Sequence, residues 1–177
     1  MERDDTGGAG RLDAWIYAVP DFPQAGILFR DITPLLADPE AFRTSIELMA
    51  EAAPDADVVV GIESRGFIFA APIAVSIGAG FVPIRKLGRL PRPTERAVYD
   101  LEYGTNTVEI HRDAIAPGAR VLLVDDVLAT GGTLAAAVDL IRRLGGEIAA
   151  IAVLIELEAL GGRERLSGHT IVSVLSY

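Results

Sequence analysis

Residues 121–133, Val-Leu-Leu-Val-Asp-Asp-Val-Leu-Ala-Thr-Gly-Gly-Thr, place a short apolar run, two adjacent carboxylates and a Thr/Gly turn in immediate succession. Val121 to Val124 have the β-branched and leucine character of a strand buried on both faces. Leu134, Val138, Ile141 and Leu144 then recur at helical spacing, so Thr130 to Thr133 lie where a helix begins. Backbone N–H groups of such a turn point outward with the positive end of the helix dipole behind them, which suits a phosphate. Asp125 and Asp126 come at the carboxyl end of the strand, where carboxylates accept hydrogen bonds from the vicinal hydroxyls of a ribose. One turn can thus hold a 5-phosphate and a 2,3-diol together. Paired acids also follow strands in receiver domains, but there they come early in the chain with no phosphate turn behind them. A Walker loop requires Gly-Lys-Ser/Thr and a dinucleotide fingerprint G-x-G-x-x-G, and neither occurs in this run. An ordinary strand-to-helix turn with Thr133 as its N-cap is the remaining alternative.

Length, 177 residues, allows one well-buried domain, and a hydrophobic content of 50% argues against disorder. Residues 1–177 are therefore expected to form a single domain, with the Asp- and Gly-rich residues 1–10 as a flexible arm. No stretch reaches the roughly 18 uninterrupted apolar residues of a membrane span, and Met-Glu-Arg-Asp-Asp does not start a secretory signal. The expected location is cytoplasmic, with no membrane partner. With no cysteine, disulfides, thiol nucleophiles and thiolate zinc sites are excluded; with two histidines, His111 and His169, a histidine metal cluster or a serine-type triad is disfavoured. A net charge of −9 disfavours nucleic acid, which demands a basic face. A small polyanion needs only a local positive pocket, and Arg65, Arg85, Lys86, Arg89, Arg92 and Arg96 provide clustered charge. A solvated basic loop is the plain alternative for that cluster.

Along the chain, Leu12, Trp15, Ile16 and Val19 repeat at helical spacing up to Pro20, followed by a loop over 21–26 and an extended segment over 27–32. A helix is expected over 39–53 with Asp38 as N-cap, a buried strand over 57–61, a helix over 66–77 despite Pro72, and a strand over 81–85. Residues 87–94, with Gly88 and two prolines among basic side chains, read as an exposed, mobile loop. Residues 97–102 and 107–111 read as an antiparallel pair, 120–124 and 134–144 as the signature strand and its helix, and Gly145-Gly146 as its stop. Strands over 147–155 and 170–175 complete a mostly parallel α/β sheet, in which ligands bind at the carboxyl ends of the strands.

The 121–133 run resembles the ribose-phosphate signature of the type I phosphoribosyltransferases, and its wording is most similar to their adenine-specific branch. Four further segments agree in order and spacing: Phe29-Arg-Asp-Ile-Thr-Pro34, Glu63-Ser-Arg-Gly-Phe67, Ile84-Arg-Lys-Leu-Gly-Arg-Leu-Pro91 and Tyr99-Asp-Leu-Glu-Tyr-Gly104. The resemblance spans residues 22–177. It implies a type I phosphoribosyltransferase-like α/β fold: a mostly parallel central sheet flanked by helices, with a small hood and a mobile loop. The implied reaction is attack of adenine N9 on C1 of 5-phosphoribosyl 1-pyrophosphate, giving AMP and pyrophosphate through an oxocarbenium-like transition state. By the same resemblance, Asp125 and Asp126 hold the ribose hydroxyls, and Ala129, Thr130, Gly131, Gly132 and Thr133 hold the 5-phosphate. Glu63, Ser64 and Arg65 match the pyrophosphate loop, with a cis peptide implied at Glu63–Ser64; Arg65 would contact the leaving group. As a plain alternative, Ser64 would only cap the helix that follows.

Arg85, Lys86 and Arg89 match the basic residues of the hood, where closure excludes water from the reacting centre. Arg89 stands where many relatives carry lysine, and Glu63 where they more often carry aspartate. Glu102 and Tyr103 match the Leu-Glu-Tyr-Gly motif, Glu102 as the group managing a proton near the purine imidazole ring; a solvent-facing strand glutamate is its alternative. Phe29 and Arg30 match the adenine-recognition segment, through stacking and through backbone groups that read the 6-amino edge, with Val127 on the opposite side of the base. Phe29 as ordinary core stays open. The family also implies magnesium, carried mainly by pyrophosphate oxygens with protein ligands unassigned, and a homodimer. Two rivals are a non-catalytic ligand sensor on the same fold and an enzyme of the same fold using xanthine, guanine or orotate.

Overall fold

The computed structural model describes residues 12–100 and 105–177, and within them the chain divides into two compact units, one ending at Leu48 and one spanning Met49–Tyr177. In the first, a single 3-10 turn, Asp13–Trp15, leads into strand β1, Tyr17–Pro20, which pairs antiparallel with β2, Leu28–Asp31, in the register Val19↔Phe29. The helical spacing of Leu12, Trp15, Ile16 and Val19 therefore does not become a helix up to Pro20. Ile16 is already extended, at φ −103° and ψ 114°. Val19 is β-branched and precedes a proline, two features that disfavour the α region, and the ladder to β2 supplies its partners. The turn between the strands is closed by Asp21, whose Oδ1 accepts from the N–H of Gly26 at 2.8 Å, and by an edge-to-face contact of Phe22 with Phe29 at 5.1 Å.

A short helix absent from the sequence reading, α1 (Thr33–Ala37), follows. Asp31 accepts from both the N–H and the hydroxyl of Thr33 at 2.9 Å. Helix α2, Pro39–Ala50, starts where the sequence places it, because Asp38 Oδ1 accepts from the N–H groups of Ala41 at 2.8 Å and Glu40 at 3.1 Å.

The second unit is built on seven strands in the order β5-β6-β4-β3-β7-β8-β9. These are β3 (Val58–Ile62), β4 (Gly80–Lys86), β5 (Thr94–Asp100), β6 (Thr105–His111), β7 (Arg120–Leu128), β8 (Glu147–Glu156) and β9 (Ile171–Ser176). The strands from β4 to β9 in that order run parallel, while β6 pairs antiparallel with both β4 and β5. Val58–Ile62 and Val121–Val124 are buried throughout, as apolar runs flanked by parallel neighbours should be. Helix α3, Gly66–Ile77, buries Phe69, Ala70, Ile73 and Ala74; α4, Gly132–Arg143, buries Leu134, Ala137, Leu140 and Ile141. Helix α4 ends at Gly145-Gly146, whose N–H groups return to the carbonyls of Arg142 and Ile141. A 3-10 turn, Glu158–Leu160, and a one-turn helix α5, Gly162–Arg165, connect β8 to β9.

Strand β7 is longer than the sequence indicated: it keeps pairing with β8 through Val127↔Ile155 and Leu128↔Glu156, so Asp125 and Asp126 lie inside the strand instead of just beyond it. The β3–α3–β4 connection moves to one side of the sheet and β7–α4–β8 to the other. The carboxyl ends of β3 and β7 therefore flank the point where the winding reverses, the position at which open α/β sheets leave a crevice. Among the described residues, no helix is long and apolar enough to cross a membrane.

Candidate active site

A cavity of about 340 Å³ opens at that reversal point. Its wall brings together Glu63, Ser64 and Arg65 from the turn after β3 with Asp125, Asp126 and Val127 of β7, and with Ala129 and Thr133 of the following turn. Residues 62 apart in sequence become neighbours because β3 and β7 pair in parallel, Gly61 opposite Val124.

The two aspartates differ. Asp126 is 5% exposed, and its Oδ2 lies 2.7 Å from Arg65 Nε, a charge pairing without hydrogen-bond alignment, since that oxygen has no hydrogen-bond partner. Asp125 keeps part of its surface open and accepts from the N–H of Asp126 at 2.9 Å. Burial, and then the negative charge of Asp126, push the Asp125 carboxyl well above the usual carboxylate range. Burial also raises Asp126, against the opposing Arg65 guanidinium. Both carboxyls are thus displaced toward the neutral form, with the Arg65 guanidinium opposing the rise. Such a pair is poised for hydroxyl donors, which would favour its charged form.

Neither plain alternative for the two turns is what the backbone adopts. The residue before α3 is Arg65, without a side-chain cap, so Ser64 does not cap it; the Glu63–Ser64 peptide is cis. Before α4 the cap position is Gly131, left-handed at φ 77°, and Thr133 sits inside the first helical turn. Only glycine adopts that φ without strain. The turn also touches the backbone of α5 closely: a Cβ on Gly131 would lie 2.7 Å from the carbonyl oxygen of Gly162, and one on Gly162 would lie 2.2 Å from that of Ala129. Segment 158–165 therefore backs the Ala129–Thr133 turn at a distance only two glycines permit. Arg163 secures it, donating from Nε to Glu156 Oε1 at 2.8 Å and from Nη2 to Glu156 Oε2, which also accepts from Ser173 Oγ.

Glu63 accepts from Arg85 Nε and Nη2, both at 3.2 Å, and from the N–H of Lys86 at 2.9 Å. The Arg85 hydrogen bond is the main reason its carboxyl stays below the ordinary value. Arg85, Lys86 and Arg89 are outside the wall of the cavity, as are Thr130, Gly131 and Gly132. Phe29 and Arg30 lie on β2 of the first unit. Glu102 and Tyr103 fall outside the described residues, as does the end of the expected 97–102 strand. The sequence reading missed Tyr99 of β5, which lines the cavity; its quoted motif begins at that tyrosine, but an aromatic on an alternating strand gives no sign of which face it takes. It also missed Glu109, buried on β6 at 1% exposure.

The sequence pattern of the phosphoribosyl transferase domain family matches residues 32–174. The chain is 56% identical over 168 residues to adenine phosphoribosyltransferase of Carboxydothermus hydrogenoformans, a match covering 94% of this chain and 99% of that one. Its fold superposes on the crystal structure of adenine phosphoribosyltransferase from Thermoanaerobacter pseudethanolicus with a TM-score of 0.92 at 47% identity, covering 96% and 99% of the two chains. The Saccharomyces cerevisiae enzyme, crystallised with an imino-altritol bisphosphate and adenine, gives a TM-score of 0.91 at 38% identity over 96% of this chain and 99% of that chain.

Proposed function

The chain belongs to the phosphoribosyl transferase family, and we propose that it transfers the 5-phosphoribosyl group of 5-phosphoribosyl 1-pyrophosphate to N9 of adenine, releasing AMP and pyrophosphate in purine salvage. The observation that carries this is the convergence, in one cavity at the sheet's reversal point, of the Asp125–Asp126 pair, the Arg65 turn and the Ala129–Thr133 turn. The ribose 2- and 3-hydroxyls donate to Asp125 and Asp126, and N–H groups of residues 129–133 take the 5-phosphate at the start of α4. As the bond from C1 to pyrophosphate breaks, positive charge develops on the ribose ring, and the nearby carboxylates stabilise it in a site that excludes water. Arg65, already beside Asp126, offers its planar guanidinium to the departing pyrophosphate.

Glu63, Ser64, Arg85, Lys86 and Arg89 complete the pyrophosphate side. Phe29 and Arg30 read the base, with Val127 against it, and Glu102 beside Tyr103 manages the proton leaving the imidazole ring; these assignments rest on the sequence resemblance. The cavity wall carries the carboxylates of Glu63, Asp125 and Asp126, of which one or two would share magnesium with substrate oxygens and water, and the ion would neutralise charge on the leaving group. The enzyme works in the cytoplasm as a homodimer.

The test supplies pure protein with phosphoribosyl pyrophosphate, magnesium and one base at a time. Pyrophosphate release is expected with adenine. Release with guanine, xanthine or orotate but not adenine would assign a different base, and release with none would return the protein to the ligand-sensor reading. Light scattering in solution reports the dimer.

A further inference from the structure

We propose that Glu109 is a positioning residue of the reaction, a buried carboxylate that holds the backbone of the basic loop 88–94 in place so that the cationic side chains around it face the pyrophosphate. The inference rests on the functional reading above and adds a residue to it. Glu109 sits on β6 directly across from Arg85 of β4 and from Arg96 of β5. Its Oε1 accepts from the N–H groups of Arg89 at 3.0 Å and Leu90 at 3.2 Å; its Oε2 accepts from Thr94 Oγ1 at 3.1 Å.

The loop has little else of this kind. At its start the N–H of Leu87 donates to Thr107, at its end the N–H of Arg112 donates to Pro93, and between them stand Gly88 and two prolines with no strand ladder. The carboxylate thus replaces the missing partner strand for the middle of the segment. It does so without neutralising Arg89: the bond goes to that residue's backbone N–H, and the nearest guanidinium to Glu109 is that of Arg96, at 3.4 Å. The carbonyl of Arg89 in turn accepts from Arg85 Nη1 at 3.4 Å, and Arg85 is held by Glu63 on the cavity wall. A continuous set of hydrogen bonds therefore runs from Glu109 through the backbone of residue 89 to the turn that carries Arg65. Burial opposes the ionised form of Glu109, and the donors at Leu90, Thr94 and Arg89 outweigh it, keeping the carboxyl below its ordinary value. The anchor stays charged at neutral pH.

Glu109→Ala and Glu109→Gln separate this role from mere packing. Kinetics with phosphoribosyl pyrophosphate, binding of AMP, and limited trypsin digestion are measured together, because AMP lacks the pyrophosphate and trypsin cleaves after Arg89 within the loop. In Glu109→Ala, KM for phosphoribosyl pyrophosphate is expected to rise about tenfold, the scale of one lost hydrogen bond to a charged group. Affinity for AMP should stay within about twofold by the same measure, and cleavage after Arg89 should accelerate. Glu109→Gln retains one acceptor oxygen and should fall between Ala and the native protein. An unchanged KM, or equal losses for AMP and phosphoribosyl pyrophosphate, overturns the proposal. If Glu109→Ala does not fold, Thr94→Val removes one donor at the same volume and carries the test: faster cleavage after Arg89 with a raised KM supports the anchor, and no change in either overturns it. Failure of the native enzyme to use adenine would instead sink the functional reading, while trypsin would still report the anchor.

Discussion

Asp125 and Asp126 put two carboxylates side by side toward the carboxyl end of one strand, and the fold bears the repulsion between them. Raising the folded-state value of Asp125 above its ordinary 3.8 has a definite sign: the fold favours the protonated form, so the related stability is complete below that value and is lost as pH rises through the raised one. Asp125→Asn retains an acceptor for the Asp126 N–H and removes the charge. Melting curves from about pH 5 to about pH 8 should show the variant above the native protein at the alkaline end, with the gap closing on acidification. Each kcal/mol of relief corresponds to about 2–4 °C for a chain of this size. The same variant should lose most of its turnover, since the ribose acceptor and part of the stabilising charge go together; a variant neither more stable nor less active would refute the account of the pair. At Gly162 the constraint is steric. Alanine there would put its Cβ 2.2 Å from the Ala129 carbonyl oxygen, so Gly162→Ala must displace the Ala129–Thr133 turn proposed to hold phosphate. Calorimetry with AMP should find affinity reduced at least about tenfold, and native-like binding would show that the contact does not position the turn.

At the scale of elements, local signals prevailed where they were complete and gave way where a neighbouring strand competed. Helix α2 begins at Pro39 because Asp38 satisfies two N–H groups. Asp38→Ala should lower stability by about 1 kcal/mol, a fall in Tm of roughly 2–4 °C, with KM values for both substrates unchanged; a larger loss would mean that the aspartate does more than cap. Residues 17–20 show the opposite outcome, an amphipathic spacing overridden by pairing with β2. Glycine and two prolines predict an exposed, mobile loop over 87–94; residues 87–93 are exposed except for the half-buried Leu90, and Thr94 already opens β5. The loop's tie to Glu109 was not readable, because the anchor is a lone glutamate 19 and 20 residues away whose inward direction only the β5–β6–β4 pairing sets.

For the molecule as a whole, ligand and stability are linked. AMP at about a hundred times its dissociation constant should add about 2.7 kcal/mol, or roughly 5–10 °C in Tm. Ribose 5-phosphate should raise Tm as well, because the turn and the aspartate pair do not require the base; no shift with either ligand would remove the phosphate site from residues 129–133. The chain's order of residues determined much of this protein by itself. The buried strand read over 57–61 and found over 58–62, the buried run 121–124, the helices from Gly66 and after the Thr/Gly turn, and the family resemblance of the 121–133 run are all contiguous signals, written in hydrophobic period, capping residues and glycine placement. Tertiary structure alone decided which side chains meet. Parallel pairing of β3 with β7 brings Arg65 onto Asp126, the return of segment 158–165 puts Gly162 against the turn, and the antiparallel β6 turns Glu109 under the loop. Those contacts join residues that are 61, 33 and 20 positions apart, and their energies depend on distance and burial, which periodicity along a chain does not encode.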